Sequence, residues 1–195
     1  MHGSTASTGA TSRRRSGSAD SAGQTPLAGE AIARQICLRQ LTAAPRTRAE
    51  LASAMARKRV PPEIAAAVLD RFDDVGLIDD AAFARAWVET RHAGRGLGRR
   101  MLREELRRRG VDAELAAEAV DQVSDDDEFD AARRLVRKRL PSLRTVEPPV
   151  RDRRLLGMLA RRGYAAGVAL RAIRAEVADA EAFDLALDDS LDDPA

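Results

Sequence analysis

Aromatic side chains are almost missing: Phe, Trp and Tyr together make up 3% of the 195 residues, with one Trp and one Tyr. An apolar interior must therefore be built from Ala, Leu, Val and Ile, which suits close helix packing and suits a β-sandwich poorly. Cysteine occurs once, at Cys37. No internal disulfide can form, and a reducing compartment is expected. Histidine occurs only as His2 and His92. With Cys37 added, these give no cluster of metal-ligand spacing and no nucleophile–base pair, so no metal, no cofactor and no enzymatic activity are expected. No run approaches the ~20 apolar residues that cross a bilayer, and the N-terminus has no apolar signal core, so no membrane is involved and the cytoplasm is the expected compartment. Lysine is scarce too. Lys58 and Lys138 are the only two, so the positive charge is arginine, whose planar fork matches carboxylates and phosphates.

What is present is charge and small apolar residues. A third of the chain (33%) is charged, yet the net charge is only +2, so strong local fields of both signs must coexist. Residues 1–29 are rich in Ser, Thr, Gly and Ala around Arg13-Arg14-Arg15. They bury too little apolar surface to offset ordering entropy and are expected to be a disordered tail. Residues 179–195 turn acidic and are expected to fray, with Phe183, Leu185 and Leu187 available for weak docking. Between the tails, apolar residues recur at three and four, the helical period, and strand-like alternation is absent.

An internal repeat organises this helical region. Leu51, Met55, Arg59, Val60, Ile64, Val68 and Leu69 recur 51 residues on as Leu102, Leu106, Gly110, Val111, Leu115, Ala119 and Val120. A further 53 residues give Leu155, Leu159, Gly163, Tyr164, Val168, Ala172 and Ile173. The paired leucines mark a helix seam. The glycine after them closes the last turn in a left-handed conformation, and Asp112 is placed to cap the next helix. Only Arg59 breaks the glycine pattern. The same offsets carry Ile32 and Ile36 to Phe83 and Trp87, then to Val136 and Leu140, which adds a helix before each pair. Thr47 with Glu50 forms a capping-box pattern, and Ser124 precedes an acidic helix start. The expected fold is all-α: tandem three-helix units at 30–78, 79–124 and 125–178, forming an elongated, curved array between the two tails. Helices are expected at 30–43, 47–59, 62–75, 79–93, 98–110, 112–123, 126–140, 150–163 and 165–178.

The central stretch reads Gly76-Leu77-Ile78-Asp79-Asp80-Ala81-Ala82-Phe83-Ala84, then Trp87-Val88 and Arg91. It continues with Gly96, Gly98, Arg100, Leu102, Glu105, Leu106, Gly110 and Val111. This run resembles the middle of the RecX family: an acidic helix start, Phe-Ala, an aromatic, an Arg, a Gly-rich basic loop, then Leu-x-x-x-Leu ending in Gly-Val. The resemblance is strongest over 70–123 and extends through the repeats to about 31–178. It departs at Val136 and Leu140, which lack the aromatics of Phe83 and Trp87, and at the Pro-rich link from Pro141 to Pro149. What the resemblance implies is a regulator without chemistry of its own. Such a protein binds the RecA filament on DNA and inhibits its ATP hydrolysis, strand exchange and coprotease activity, and thereby modulates recombination and the SOS response; some members also bind DNA. A monomer is expected.

The candidate contact residues are basic. With Leu102 at zero on a helical wheel, Arg99, Arg103, Arg107 and Arg100 fall between about 60° and about 160°. They form a stripe beside the buried seam, and Arg91, Arg95 and Arg108 are added to the set. Such a stripe can grip an acidic protein surface or a phosphate backbone, and it can equally be a solvated face paired to Glu104 and Glu105. Further basic sets are Arg133, Arg134, Arg137, Lys138 and Arg139, and Arg151, Arg153, Arg154, Arg161 and Arg162. Gly94 to Gly98 lacks the Lys-Ser/Thr and the flanking strand of a phosphate loop and is read as a flexible turn. Phe83, Trp87 and Tyr164 are read as core, and Cys37 as a buried thiol. The competing reading is a DNA-binding helix-turn-helix regulator. Its would-be recognition helices carry Glu63 or Glu114 with Glu118 and runs of alanine, which repel phosphates and read few base edges.

Overall fold

The structure, a computed structural model, describes the backbone over residues 21–191 and the side chains over 27–183. Nine α-helices and one 3-10 turn account for the described chain. They are α1 (Ser21–Ala43), α2 (Arg48–Arg57), α3 (Pro62–Asp74), α4 (Asp80–Arg95), α5 (Arg99–Arg108), α6 (Ala113–Asp121), α7 (Asp125–Arg139), the turn Leu140–Leu143, α8 (Pro148–Arg161) and α9 (Ala166–Leu191). The caps follow the sequence chemistry. Thr47 and Glu50 form a reciprocal capping box at α2, and Asp79, Asp112 and Ser124 each accept a backbone N–H at the start of α4, α6 and α7.

Three separate cores correspond to the three units. The first is built on Leu51, Met55, Val68 and Leu69, the second on Leu102, Leu106, Ala119 and Val120, and the third on Leu155, Leu159, Ala172 and Ile173. The extensive helix–helix contacts lie within units: α1 with α3, α4 with α6, and α7 with α9, each pair bridged by the middle helix. Phe83 is buried and stacks on Trp87 with ring centroids 5.7 Å apart. Cys37 is fully buried beside Met55.

Three expectations are corrected. Helix α1 begins at Ser21, well before 30. Its Gly29 approaches the Ile64 side chain too closely for a Cβ, and Glu30 accepts hydrogen bonds from Arg34 on α1 and Arg71 on α3, so α1 already packs on α3 at residues 29 and 30. The part of the expected tail at 1–20 lies outside the described residues. Helix α9 likewise continues past 178 to Leu191, because Asp179 pairs with Arg133 and Ala180 packs on the third core. Phe183 is exposed, and the side chains of Leu185 and Leu187 lie outside the described residues. Finally, the first-helix register fails at two positions. Ile32 is exposed rather than buried like Phe83. Leu140 sits in the 3-10 turn and not on α7, because the third unit's extra length lies in the link between α7 and α8.

One joint is used twice to connect the units. At the first, the Thr47 hydroxyl donates to Arg109 O (2.7 Å), the Arg48 N–H donates to the Asp80 carboxylate (2.9 Å), and the Arg109 guanidinium reaches back to Glu50. At the second, Gly98 N–H donates to Arg162 O (2.8 Å), Arg99 N–H donates to the Glu128 carboxylate (2.9 Å), and the Arg162 guanidinium reaches back to Arg95 O. Thr47 and Gly98, Arg48 and Arg99, and Arg109 and Arg162 are equivalent repeat positions. The free N–H groups of each middle helix thus find acceptors on the next unit. Gly110 (φ 75°) and Gly163 (φ 89°) stand at these joints, where a Cβ would overlap Ala49 and Met101 respectively. Arg59 adopts the same left-handed turn (φ 58°). Its side chain is exposed, so a residue other than glycine fits there at a modest conformational cost.

Gly110→Ala and Gly163→Ala are each expected to destabilise by at least about 2 kcal/mol, while Arg59→Gly changes stability by about 1 kcal/mol or less. Chemical denaturation checks this, and a neutral Gly110→Ala would show that the joint does not depend on that close approach. A second expectation concerns Glu176, buried between Arg133 (2.6 Å) and Arg137 (2.8 Å). Burial pushes its carboxyl up, but the hydrogen bonds from Arg137 and Arg133 prevail and hold it below the usual 4.5. A lowered native pKa contributes stability that is complete above the ordinary glutamate range and is lost on acidification. Glu176→Gln should therefore cost about 2 kcal/mol at neutral pH, and its melting temperature should converge with that of the native chain as the pH drops below that range.

Candidate partner-binding surface

The seven arginines proposed from the sequence do not form one surface. Two of them are structural. Arg91 is only 19% exposed, lies 4.0 Å over the Trp87 ring and pairs with Glu105. Trp87 is sandwiched between Arg91 and Arg109 (3.8 Å) and donates its indole N–H to Glu105 (2.9 Å), so an aromatic and two guanidinium planes stack inside the second unit. Arg99 is 26% exposed. Its guanidinium donates to Val123 O and to Asp125 (2.7 Å) and lies 3.8 Å from Glu128. It ties the end of α6 and the start of α7 to α5.

The other five are distributed over three clefts. Arg107 and Arg108 are 74% and 63% exposed and both pair with Glu104, whose carboxyl the Arg107 hydrogen bond holds below its ordinary range. They border a cleft of about 380 Å³ at the first joint, shared with Arg46, Arg57, Arg109 and Glu50. Arg100 donates to Ala160 O (2.9 Å) at the end of α8, and Arg103 pairs with Asp121 (3.0 Å). These two border a cleft of about 510 Å³ between the second and third units. Arg95 stands apart, on a third cleft of about 840 Å³ formed by residues 92–97, α7 and α8.

The loop from Gly94 to Gly98 is not the free turn read from its glycines. Every carbonyl from Arg95 to Leu97 is bound: Arg95 O by the Arg162 guanidinium, Gly96 O by the Tyr164 hydroxyl (3.1 Å), and Leu97 O by His92 Nδ1–H (2.9 Å). Burial, assisted by the nearby Glu128 charge, pushes Tyr164 up to about 12, so its phenol remains a donor across the physiological range. A carbonyl oxygen only accepts, so Nδ1 is the donor of that bond; the other ring nitrogen, Nε2, is buried and has no partner among the described residues.

Sequence reasoning passed over Arg48 and counted Arg109 and Arg162 only as members of basic runs, so it missed the place of all three in the joints. A signal was available, because Arg48 repeats in phase as Arg99 and Arg109 as Arg162, which marks them as parts of the repeat. Among the described residues no three His, Cys, Asp or Glu side chains cluster as metal ligands, and no helix is long and apolar enough to cross a membrane.

Three tandem three-helix units joined head to tail, with basic clefts at the joints, describe a helical-repeat protein. The comparisons with known sequences and structures make the family specific. Residues 33–72, 79–120 and 125–173 match the family models of the first, second and third three-helix domains of RecX, in order. The chain is 58% identical over 147 residues to the regulatory protein RecX of Thermobifida fusca, covering 75% of this chain and 80% of that one. It is 54% identical over 142 residues to the regulatory protein RecX of Streptomyces coelicolor, covering 73% and 76%. The fold matches the crystal structure of RecX from Lactobacillus salivarius with a TM-score of 0.73 at 17% identity, over 77% of this chain and 97% of that one. The chain belongs to the RecX family.

The division of roles among the arginines can be measured directly. Arg99→Ala is expected to destabilise the chain by about 2 kcal/mol, since it strips a partly buried cation from two carboxylates and a carbonyl. Arg107→Ala and Arg108→Ala should each stay within about 0.5 kcal/mol. Equal effects in urea unfolding would sink the distinction drawn here between joint and surface arginines.

Proposed function

We propose that this chain binds the RecA nucleoprotein filament and restrains it, lowering its ATP hydrolysis, strand exchange and coprotease activity and so modulating homologous recombination and the SOS response. The observation that carries the reading is the uninterrupted succession of all three RecX domains. Relatives that share more than half of the aligned residues bear the name regulatory protein. The chain acts as a non-enzymatic, monomeric ligand in the cytoplasm, without cofactor, and touches DNA at most weakly and directly. The exposed Arg100, Arg103, Arg107 and Arg108, with Arg95, form the contact set, while Arg91 and Arg99 support it from within. Rim cations of this kind set association rate and salt dependence more than fold stability.

Titrating the full chain into RecA on single-stranded DNA at low salt should suppress ATP hydrolysis at substoichiometric to near-stoichiometric ratios. No suppression would refute the proposal, and tight binding to one duplex sequence without RecA would instead favour the helix-turn-helix reading. The combined variant Arg100→Ala, Arg103→Ala, Arg107→Ala and Arg108→Ala should inhibit roughly tenfold more weakly while melting like the native chain. Undiminished inhibition would remove these four side chains from the contact.

A further inference from the structure

The largest cleft, about 840 Å³, is unlike the other two in composition. Five cations line it (Arg95, Arg134, Lys138, Arg139 and Arg162), with no Asp or Glu among its lining residues. Arg162 is held on Arg95 O. The other four cations are exposed and form no ion pair or side-chain hydrogen bond among the described residues. Apart from His92 and the loop glycines, the rest of the lining is aliphatic: Leu97, Leu135 and Met158, all half-buried, with Ala93 and Ala131. Arg134 has a nearby carboxylate in Asp127, but no acid lines the cleft itself, so the four surface cations repel one another and an anionic ligand relieves that repulsion.

We propose that this groove docks an acidic peptide segment of a partner protein, with the peptide's aliphatic side chains seated on Leu97, Leu135 and Met158 and its carboxylates on Arg95, Arg134, Lys138 and Arg139. The inference rests on the reading that this chain acts by binding another protein, and it adds to the arginine contact set, through Arg95, a second contact of stated chemistry. Charge alone would admit a nucleic acid. The floor weighs against it: no Phe, Tyr or Trp lines the cleft to stack a base, and its one ring, His92, is half-buried and held on Leu97 O. An aliphatic floor containing Met beneath a charged rim is the arrangement that receives the apolar face of an amphipathic segment. The wall is rigid in advance. Gly96 packs so near Leu135 that a Cβ would come within 3.2 Å of its Cδ1, and the loop carbonyls are tied as described above, so little ordering is lost on docking. Arg134 and His92 also border the adjoining cleft of about 460 Å³ between α4, α6 and α7, floored by Val88, Ala119 and Val123. Glu89 and Asp127 also line that cleft, so the carboxylates of an acidic peptide are confined to the main groove.

The test is fluorescence anisotropy of the full chain with three labelled probes. They are a helix-forming peptide of Glu and Ala with Leu at i, i+3, i+4 and i+7, a glutamate–alanine peptide of the same length and charge without leucine, and an oligodeoxythymidine. The leucine peptide should bind at least roughly tenfold more tightly than the leucine-free peptide and the oligonucleotide. Lys138→Glu combined with Arg134→Glu should weaken that binding at least roughly tenfold. Both sites are exposed, and an unchanged melting curve controls for folding. Met158→Gln, which leaves the rim intact, should bring the two peptides closer together in affinity. Equal binding of both peptides, preference for the oligonucleotide, indifference to the charge reversal, or no binding would each overturn the proposal. RecA is absent from this assay. Filament inhibition without peptide binding therefore defeats only the groove, whereas peptide binding without inhibition defeats only the proposed function.

Discussion

Everything in this molecule hangs on how the exposed N-terminus of one helix is satisfied by the corner of the next unit. A helix start leaves backbone N–H groups without partners, and a helix end leaves carbonyls. In each joint the two needs meet. Arg48 N–H and Arg99 N–H point at Asp80 and Glu128, while Arg109 O and Arg162 O receive the Thr47 hydroxyl and the Gly98 N–H. Glycine at the corner lets the backbones approach closely enough for this to happen. The contact is directional, because it uses one end of the middle helix on one side and the corner on the other. It therefore builds a line of units rather than a closed bundle.

A line has two ends, and both differ from the joints. At the first unit Arg59 occupies the corner where Gly110 and Gly163 stand, so that corner carries a side chain in a conformation that favours glycine. At the third unit the residue in phase with Arg48 and Arg99 is Asp152, which pairs locally with Arg151. The arginines divide accordingly. Of those in phase across the repeat, Arg48, Arg99, Arg109 and Arg162 sit at the joints, while Arg57, Arg108 and Arg161 recur just as regularly and stay exposed. Local composition cannot separate these classes, since both are exposed or half-exposed guanidiniums on the same short helix.

Much of the fold was legible in the sequence. Helix spans, caps and the corner glycines followed from backbone rules that act over a few residues, and the seam pairs Leu51–Met55, Leu102–Leu106 and Leu155–Leu159 are fully buried as their spacing requires. The binding stripe was less legible. A helical wheel places Arg99 beside Arg103 and Arg107 but knows nothing of Val123, Asp125 and Glu128, which come from other helices to take it. The same limit explains Trp87. Its place in the core was expected, yet the two arginines that enclose it include Arg109, whose other contact is Glu50 in the preceding unit. The α7 register failed because a fixed offset assumes loops of constant length, and the third unit spends its extra residues on the 3-10 turn and the proline link.

The repeat also explains why the two joints differ in charge. At the first, Glu50 receives Arg109 and lies near Arg46, so the joint carries its own counter-ion. The position in phase with Glu50 in the second unit is Met101. With no carboxylate there, Arg162 turns to the Arg95 carbonyl, which binds the guanidinium without cancelling its charge. Neutral acceptors of this sort hold a cation in place and leave its field intact. The second joint therefore projects unbalanced positive charge beside Arg95 and the cations of α7, while the same geometry at the first joint is partly self-neutralised. One acid-to-methionine difference at a single repeat position thus separates a joint that balances its own charge from one that leaves it open to another molecule.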